Sequence, residues 1–549
     1  MLTCGALGLI EPTDARYAEI GREMLASGDW LTPRLNGVTH LDKPPVAYWA
    51  AAAGMRVLGV NPMGARIGAA LAGAFLFWAG ACIARRAGFA PNEALLVPLV
   101  LASSLLAFAL SRLLATDIFL AAAVAAFYRF WFARRTRAGD TGASRGRGAH
   151  FGMFVALGIG FLIKGPVIFV HTLLPLFAAA LWRRNRSLLA GLGSGVGWLL
   201  FALVALPWYL IVVQRTPGLL TWLLHKEIWL RYTSTVHHRS GPPWYFIGIL
   251  IGGALPWTIA ALFGIIRSAR LASARTAKAR RDDAPLPATT RTAVDSEAVL
   301  VAWAVLPVLF FSASGSKLPA YVLPELTAVA ALASCALLRG GLTVRWSTAA
   351  LFLALAFAIE IAGPRALANV VGAAHAGALP LPPLAHFAVA AFVVGAIAVG
   401  ARMPATAALA ALAAWYGLLG TARAIEGPLG SPAPVAAMLD RIRQPGEPVI
   451  ELGTFSAGLP FYTGATIPMV EVARTEAFEA PGAEAHAFLA ESAVPEMIRR
   501  SGRVWVYGRH DRGARTADSL GVHYETVART RNRELGVLES MPSAAAIGP

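Results

Sequence analysis

Apolar stretches recur along the first three quarters of the chain, separated by short polar or arginine-containing turns. Most approach the ~20 residues that an α-helix needs to cross the hydrocarbon core of a bilayer. Residues 1–10 are apolar too but only about half that length, so we expect a further helix to begin upstream, giving about 13 spans. The other predicted membrane-spanning helices cover residues 63–84, 93–111, 116–133, 150–163, 166–182, 188–213, 244–266, 298–313, 319–338, 346–362, 384–401 and 404–421.

The composition fits an α-helical polytopic membrane protein and excludes a soluble enzyme. Hydrophobic residues make up 56% of the chain and charged residues 14%, whereas soluble domains carry about 25% charged residues. A net charge of +17 would suggest nucleic acid in a soluble protein, but here the basic residues flank apolar spans, so we predict no nucleic-acid partner. The three cysteines lie far apart in apolar segments and form neither a disulfide framework nor a metal motif.

The arginine clusters predict which side of the membrane each loop faces. Cytoplasmic loops of membrane proteins are enriched in Lys and Arg, and the clusters of this chain fall in every second loop, as alternating crossings require. The loops that alternate with these clusters then face outward, which in the bacterial inner membrane means the periplasm. The predicted outward segments are 11–62, 112–115, 164–165, 214–243, 314–318, 363–383 and the tail from about residue 422. The Arg/Ala-rich segment 267–297 is predicted to be a flexible cytoplasmic loop.

From residue 430 the pattern changes to short alternating segments, which predict a small periplasmic α/β domain over 430–549 after a transmembrane domain over 1–425. The predicted strands are 448–452, 467–472, 503–508 and 522–529, and the predicted helices are 435–443 and 486–500.

Lysine is rare and unevenly placed. The chain has 43 arginines but only five lysines, and four of the five lie in predicted outward loops: Lys43, Lys164, Lys226 and Lys317. Only Lys278 follows the positive-inside trend. An ammonium is a good point-charge partner for phosphate, so the pattern indicates a lipid-phosphate site. The alternative is that these lysines anchor spans at the membrane surface.

The first outward loop carries two predicted helices. Residues 14–28 have an apolar face with Tyr17, Ile20 and Met24 and a polar face, which predicts a helix lying along the membrane surface. Asp42-Lys43-Pro44-Pro45 then opens a second helix, because proline fits the first helical turn. This arrangement places acids and a lysine at the membrane edge.

The stretch EPTDARYAEIGREMLASGDWLTPRLNGVTHLDKPPVAYW resembles the first periplasmic loop of polyprenyl-phosphate-dependent glycosyltransferases of the GT-C fold. The resemblance is strongest to the lipid A aminoarabinose transferases, which are related to the protein O-mannosyltransferases. Supporting motifs are RLLATDIFLA (112–121), FLIKGPV (161–167), HKEIWLRYTSTVHHRSGPPWYF (225–246) and SGSKLPAYVLP (314–324). The resemblance implies a GT-C membrane domain followed by the outer α/β domain.

The resemblance also implies roles for individual residues. The family's Asp-Glu-x-Arg-Tyr pattern stands here as Thr13-Asp14-Ala15-Arg16-Tyr17, so its first acid is replaced by Thr13. We predict Asp14 as the catalytic acid and Asp117 as a second acid, with Glu11 as an alternative; the other interpretation of Asp117 is a helix cap. Lys164 matches the family as well, although it could equally pin a helix hairpin. The residues implied to hold the donor phosphate are Lys43, Arg231, Arg239, Lys317 and Tyr321, and Asp42 and His237 are the implied ligands of a possible divalent metal ion.

The implied reaction transfers a sugar from undecaprenyl phosphate to an envelope acceptor at the periplasmic face, with inversion. Our first prediction is 4-amino-4-deoxy-L-arabinose transferred to a lipid A phosphate. An alternative is another lipid-linked sugar transferred to a different glycan, lipid or protein hydroxyl. A transporter of lipid-linked sugars would place its charges near the bilayer midplane, whereas these candidates cluster at the outer ends of spans. A structural or assembly protein would not require the clustering of acids and lysines.

Overall fold

The computed structural model describes residues 4–136, 143–230, 233, 241–281, 287–371, 380–473, 478–482, 488–530 and 532–540. Long helices dominate the chain up to residue 424, because the apolar stretches satisfy their backbone hydrogen bonds internally, as a bilayer requires. The α-helices of this part, long and short, are Thr13–Ser27, Val46–Leu58, Pro62–Arg86, Pro91–Ala102, Leu105–Leu110, Thr116–Thr136, Ala143–Lys164, Val167–Arg183, Gly195–Arg215, Leu219–Trp222, Tyr245–Gly253, Thr258–Arg281, Ala288–Ser312, Leu326–Arg339, Leu342–Val371, Pro383–Gly400 and Pro404–Ala424.

Every predicted span from residue 63 onward contains helix, although the helix is interrupted within 93–111, 188–213, 244–266 and 319–338. Residues 4–10, the expected end of a first span, are not helical. Within the described ranges, eight helices are long and apolar enough to cross a bilayer, or nine if one bent pair is a single span. Four further apolar helices have 10–17 residues, and three of them (Pro91–Ala102, Val167–Arg183 and Leu326–Arg339) fall on predicted spans. The prediction of a polytopic helical membrane protein is confirmed, while length and composition do not establish the predicted number of about 13 spans.

Two predictions about the middle of the chain are wrong. The predicted span 244–266 is broken, since Tyr245–Gly253 and Thr258–Ala277 meet at 113°; Pro256 lies at the break and has no N–H to donate to a helix. The predicted flexible loop 267–297 is mostly helical. Its alanines favour helix, and Asp295 accepts hydrogen bonds from Arg183 Nε at 3.0 Å and Asn185 Nδ2 at 2.7 Å, which ties the segment to its neighbours.

The first outward loop forms helix Thr13–Ser27, a hairpin of β1 (Arg34–Leu35) and β2 (Val38–Thr39), and helix Val46–Leu58. The first of these helices ends at Gly28 in the left-handed conformation, with φ 73°. Its predicted apolar face is buried, but so is much of its polar face: Glu19 is fully buried, and Arg22 donates to the carbonyl of Gly464 at 3.2 Å. The C-terminal region therefore packs against this helix, including part of its predicted polar face.

The C-terminal region is a six-stranded mixed sheet in the order β5-β4-β3-β6-β8-β7. Its strands are β3 (Val449–Leu452), β4 (Met469–Val470), β5 (Phe488–Leu489), β6 (Arg503–Arg509), β7 (His523–Arg529) and β8 (Arg533–Glu539), and its helices are Ala433–Ile442, Gly458–Thr463, Val494–Ser501 and Arg512–Leu520. All four predicted strands are present. The predicted helix 486–500 is wrong in its first part, which forms β5 before a short 3₁₀ turn, and the sequence pattern missed β8.

Candidate active site

A cavity of about 590 Å³ lies among the segments that carry most of the predicted site motifs. It is bounded by the loop before helix Val46–Leu58, the start of helix Thr116–Thr136, the turn at 165–166, the segment 220–228 and the loop 314–321. Its walls are mainly apolar and aromatic, including Phe161, Tyr209, Phe310 and Phe311. Among the described residues, five with ionisable acidic or basic side chains line it: Asp42, Lys43, Asp117, Lys164 and Glu227. A charged group in such surroundings interacts more strongly than it would in water.

Asp117 and Lys164 form an ion pair in the wall of this cavity. Asp117 is in the first turn of helix Thr116–Thr136, where the helix dipole favours a negative charge. Its Oδ1 lies 2.5 Å from Nζ of Lys164, the last residue of helix Ala143–Lys164. The same ammonium lies 4.6 Å from the ring centroid of Tyr321. The structure thus brings three predicted site residues together from separate parts of the chain.

Lys43 forms the second ion pair of the cavity. Its Nζ contacts Oε2 of Glu227 and donates to the carbonyl of Asp42 at 2.9 Å. Pro44 and Pro45 lead directly into helix Val46–Leu58, and their restricted backbone holds Lys43 just before the helix. Both side chains of the pair are largely buried, with exposures of 16% for Lys43 and 10% for Glu227, so solvent screens their attraction only in part.

Asp42 adds a third carboxyl group. Burial raises the pKa of Asp42, the charge of Glu227 raises it further, and His40 opposes both. The Oδ1 atom of Asp42 is buried without a hydrogen-bond partner in the described part of the chain. Asp42 therefore has a donor atom available for the predicted metal ion, but the other predicted ligand, His237, lies outside the described residues. The described ranges contain no group of three or more His, Cys, Asp or Glu that could hold a metal ion.

Lys317 lies beside the cavity rather than in its wall. Its neighbours Ser314 and Ser316 and the predicted residue Tyr321 line the space. The Lys317 ammonium donates to the carbonyl of Ser312 at 2.8 Å and lies 5.6 Å from the ring centroid of Phe246. Burial lowers the pKa of Lys317. The other residues predicted to hold the phosphate, Arg231 and Arg239, lie outside the described part of the chain.

Asp14, predicted as the catalytic acid, does not line the cavity. Its Oδ1 accepts hydrogen bonds from the backbone N–H of Leu114 at 2.8 Å and from Arg66 Nε at 3.1 Å. Its Oδ2 accepts from Arg66 Nη2 and from the N–H of Ile10 at 2.9 Å. Both oxygens are thus used within the protein, so Asp14 holds the chain that leads to Asp117 and does not face the cavity.

Glu11 is also outside the cavity. Its Oε1 accepts hydrogen bonds from Ser456 Oγ at 2.9 Å and from the N–H of Gly458 at 2.7 Å, which connects the first loop to the C-terminal region. Burial raises the pKa of Glu11, with Arg533 opposing the shift. The Glu11 carboxylate thus contacts the C-terminal region and does not line this cavity.

Sequence reasoning missed Glu227 and a buried pair formed by His171 and Glu325. Nδ1 of His171 lies 2.6 Å from Oε1 of Glu325, and the exposures of the two side chains are 1% and 0%. His171 lines the cavity, and Glu325 precedes helix Leu326–Arg339. The sequence does indicate such a pair, because an ionisable residue within an apolar stretch usually has a partner in the interior of a helix bundle.

Removing His171 is expected to destabilise the protein more than neutralising Glu325 does. His171→Leu leaves a buried carboxylate without its partner, which costs about 3–5 kcal/mol, whereas Glu325→Gln keeps a hydrogen-bond acceptor for the imidazole. Thermal unfolding of the purified variants in detergent measures the difference, with Glu496→Gln on the exposed helix Val494–Ser501 as the control. Equal melting temperatures for His171→Leu and wild type would contradict the proposed role of the pair.

The sequence is similar to known glycosyltransferases. A sequence profile of the family "Dolichyl-phosphate-mannose-protein mannosyltransferase" matches residues 10–224. The undecaprenyl phosphate-alpha-4-amino-4-deoxy-L-arabinose arabinosyl transferase of Edwardsiella ictaluri is 31% identical over 326 residues, which is 58% of this chain and 53% of that protein. The enzyme of the same name from Pseudomonas aeruginosa PAO1 is 32% identical over 60% of this chain and 56% of its own. The chain spans about half the length of the curated relatives it matches.

The structural match extends over the whole chain. The crystal structure of ArnT from Cupriavidus metallidurans bound to undecaprenyl phosphate superposes with a TM-score of 0.78 and 25% sequence identity, and the match covers 100% of this chain and 96% of that chain. The predicted resemblance to the GT-C glycosyltransferases, and to the aminoarabinose transferases among them, is confirmed, as is the GT-C fold with its small C-terminal sheet region.

Proposed function

We propose that this chain, which has the GT-C fold of ArnT, transfers 4-amino-4-deoxy-L-arabinose from undecaprenyl phosphate to a lipid A phosphate. The observation that carries the proposal is the apolar cavity with two lysine–carboxylate pairs, Lys43–Glu227 and Lys164–Asp117. A lipid-linked sugar phosphate combines an apolar chain, an anion and a sugar, and this cavity offers a chemically matching surface for each. The choice of sugar and of lipid phosphate follows the similar transferases, which are named for them.

Donor binding uses the two cavity lysines. A phosphate oxygen accepts strong charge-assisted hydrogen bonds from an ammonium, so the donor competes with Glu227 for Lys43 and with Asp117 for Lys164. The apolar walls receive the polyprenyl chain. The Lys164 ammonium lies over the ring of Tyr321, which helps to orient it.

During transfer, the bond between the sugar C1 and the phosphate oxygen breaks while a bond from C1 to the acceptor oxygen forms on the opposite face, which inverts the configuration. Lys43 and Lys164 stabilise the charge that grows on the departing lipid phosphate, and they act strongly because they are fixed in a largely apolar cavity. Asp117 takes over the catalytic role first predicted for Asp14, because it is the acid that reaches the cavity from helix Thr116–Thr136.

The role of Asp117 depends on the acceptor. A lipid A phosphate is already anionic, so no proton has to be removed, and Asp117 stabilises the positive charge that develops at C1. With a hydroxyl acceptor, Asp117 would instead accept the hydroxyl proton. In both cases the products are undecaprenyl phosphate and a glycosylated acceptor. The alternation of arginine clusters between loops supports a reaction at the periplasmic face of the inner membrane.

Purified protein supplied with undecaprenyl phosphate-linked aminoarabinose and lipid A is expected to add one aminoarabinose to lipid A, which mass spectrometry detects. Lys43→Ala is expected to lower kcat/KM by about 10- to 100-fold, because one charge-assisted hydrogen bond to the phosphate is lost. Lys226→Ala is the matched control, since Lys226 pairs with the partly exposed Glu479 and does not line the cavity. Absence of product from folded wild type would reject this donor and acceptor, and equal rates for Lys43→Ala and wild type would reject the phosphate site.

A further inference from the structure

Two contacts join the same two segments at the wall of the cavity. The Lys164 ammonium lies 4.6 Å from the ring centroid of Tyr321. Nδ1 of His171 lies 2.6 Å from Oε1 of Glu325, and both of these side chains are buried. Lys164 and His171 lie on either side of the short turn at 165–166, and Tyr321 and Glu325 are also close in sequence. The segments are therefore joined once at the proposed phosphate site and once by a buried ion pair.

Packed aromatic rings connect the two contacts. The ring centroid of Phe311 lies 5.3 Å from that of His171 and 5.4 Å from that of Tyr321. The ring of Phe246 is nearly parallel to that of Tyr321, with the centroids 5.8 Å apart. All three aromatic residues are buried in one hydrophobic cluster. Because a close-packed interior transmits strain, a shift of the ion pair would displace the ring against which the Lys164 ammonium lies.

The side chain of Glu325 is used for this contact and not for its own helix. A carboxylate directly before a helix commonly accepts hydrogen bonds from N–H groups of the first turn, but Glu325 accepts none from helix Leu326–Arg339. The backbone at His171 is fixed from a third direction, since the hydroxyl of Tyr128 contacts the carbonyl of His171 at 3.1 Å. Tyr128 belongs to helix Thr116–Thr136, so His171 lies where three helical segments meet.

Stability alone does not account for a pair of this kind. Two buried charges lose their hydration, so an apolar pair of similar size often stabilises a protein equally well. An ion pair with a hydrogen bond accepts only one relative position of its two segments, whereas apolar side chains pack in several. Position matters most for Lys164, because a reacting group displaced by about 1 Å can lose roughly 100-fold in rate.

We propose that His171 and Glu325 are positioning residues for sugar transfer, because their pair holds the Lys164 ammonium where it stabilises the charge on the departing lipid phosphate. This inference rests on the proposed function and adds two residues to its machinery. Neither residue has to touch the donor. Both act through the segment that carries Tyr321 and through the helix that follows Lys164.

The variant His171→Leu/Glu325→Leu tests the proposal, because it removes both charges together and leaves no buried charge without its partner. We expect its melting temperature in detergent to stay close to that of wild type. We expect its kcat for aminoarabinose transfer to fall by about 10- to 100-fold, with little change in KM. Glu325→Gln keeps an acceptor for the imidazole and should retain most of the wild-type kcat.

Combining these variants with Lys164→Ala shows whether the pair acts through Lys164. In wild type, Lys164→Ala should lower kcat by roughly 100-fold. In the double-leucine variant it should cost no more than about 10-fold, because the ammonium is already displaced. A smaller fraction of folded protein would leave the cost of Lys164→Ala unchanged. Lys43→Ala is the matched comparison and should cost the same factor in both backgrounds, because its loop is not one of the joined segments.

The outcomes separate this inference from the proposed function. A stable double-leucine variant with the wild-type kcat, or an equal cost of Lys164→Ala in both backgrounds, would overturn the inference while the proposed function stands. If the double variant does not fold, Glu325→Leu takes its place, since the remaining imidazole can be neutral. If wild type transfers no aminoarabinose, the proposed function fails. The same comparison with the affinity for undecaprenyl phosphate then decides whether the pair positions Lys164.

Discussion

Replacing Asp117 with asparagine is expected to lower the rate of sugar transfer by roughly 10³-fold while leaving the protein folded. Asparagine has nearly the same size, but it carries no charge and accepts no proton. The side chain could then neither stabilise positive charge at the sugar C1 nor act as a base. The substitution removes the ion pair with Lys164, whose two partners are about nine-tenths buried at a cavity wall.

The decisive measurement is a single-turnover assay with saturating donor, which isolates the chemical step from product release. Asp117→Asn should still bind undecaprenyl phosphate, at least as tightly as wild type, because Lys164 no longer has a competing carboxylate. Asp440→Asn, in helix Ala433–Ile442 of the C-terminal region, is the matched control. If Asp117→Asn retained more than about a tenth of the wild-type rate, the catalytic acid would have to be sought elsewhere.

The sequence predicted the transmembrane part well for a physical reason. Backbone groups in a bilayer must be satisfied within helices, so hydropathy alone locates helices such as Pro62–Arg86 and Gly195–Arg215. Hydropathy does not show where an apolar helix is interrupted. Residues 244–266 are apolar throughout, and the bend of 113° at residues 254–257 lies within that run. The charge composition of 267–281 suggests a flexible loop, but its alanine-rich sequence favours the helix that it forms.

The candidate site was predictable by position but not by pairing. Lys43, Lys164 and Asp117 were selected because rare lysines and acids occur at the outer ends of spans, and all three line one cavity. Their partners are distant in sequence: Glu227 pairs with a residue 184 positions away, and no local pattern encodes that contact. For Asp14, too, the sequence indicates the position of the residue but not the contacts of its side chain. Its motif marks the right loop, but the direction of its carboxylate depends on Arg66, 52 positions away.

The sequence position of Arg66 indicates that it has a buried partner. It lies inside the predicted span 63–84, where a charged residue is costly and usually has a specific partner. Its side chain is 1% exposed and is paired with Asp14. It also donates to the carbonyls of Cys4, Leu7 and Gly8, at 2.9, 2.7 and 2.8 Å. One guanidinium thus holds the described part of the N-terminal segment against helix Pro62–Arg86, and Asp14 extends the connection to Leu114.

Asp14→Asn is therefore expected to impair the protein by destabilising it. The substitution leaves the Arg66 guanidinium buried without its counter-charge, which costs about 3–5 kcal/mol. It also loosens the turn that leads through Leu114 to helix Thr116–Thr136, so transfer should fall because Asp117 is less well positioned. The melting temperature in detergent should drop clearly. Activity measured well below that temperature should recover more than the activity of Asp117→Asn does.

A double-mutant cycle separates this role from direct catalysis. Arg66→Gln alone should destabilise the protein about as much as Asp14→Asn, and the double variant should be much less destabilised than the sum of the two, because the charges are removed together. Coupling of that kind identifies Asp14 as a positioning residue. If Asp14→Asn instead kept the wild-type melting temperature and lost transfer as completely as Asp117→Asn, Asp14 would have to reach the substrate through a rearrangement that breaks its bonds to Arg66. The same outcome would require the cavity and the first loop to change shape together when the donor binds.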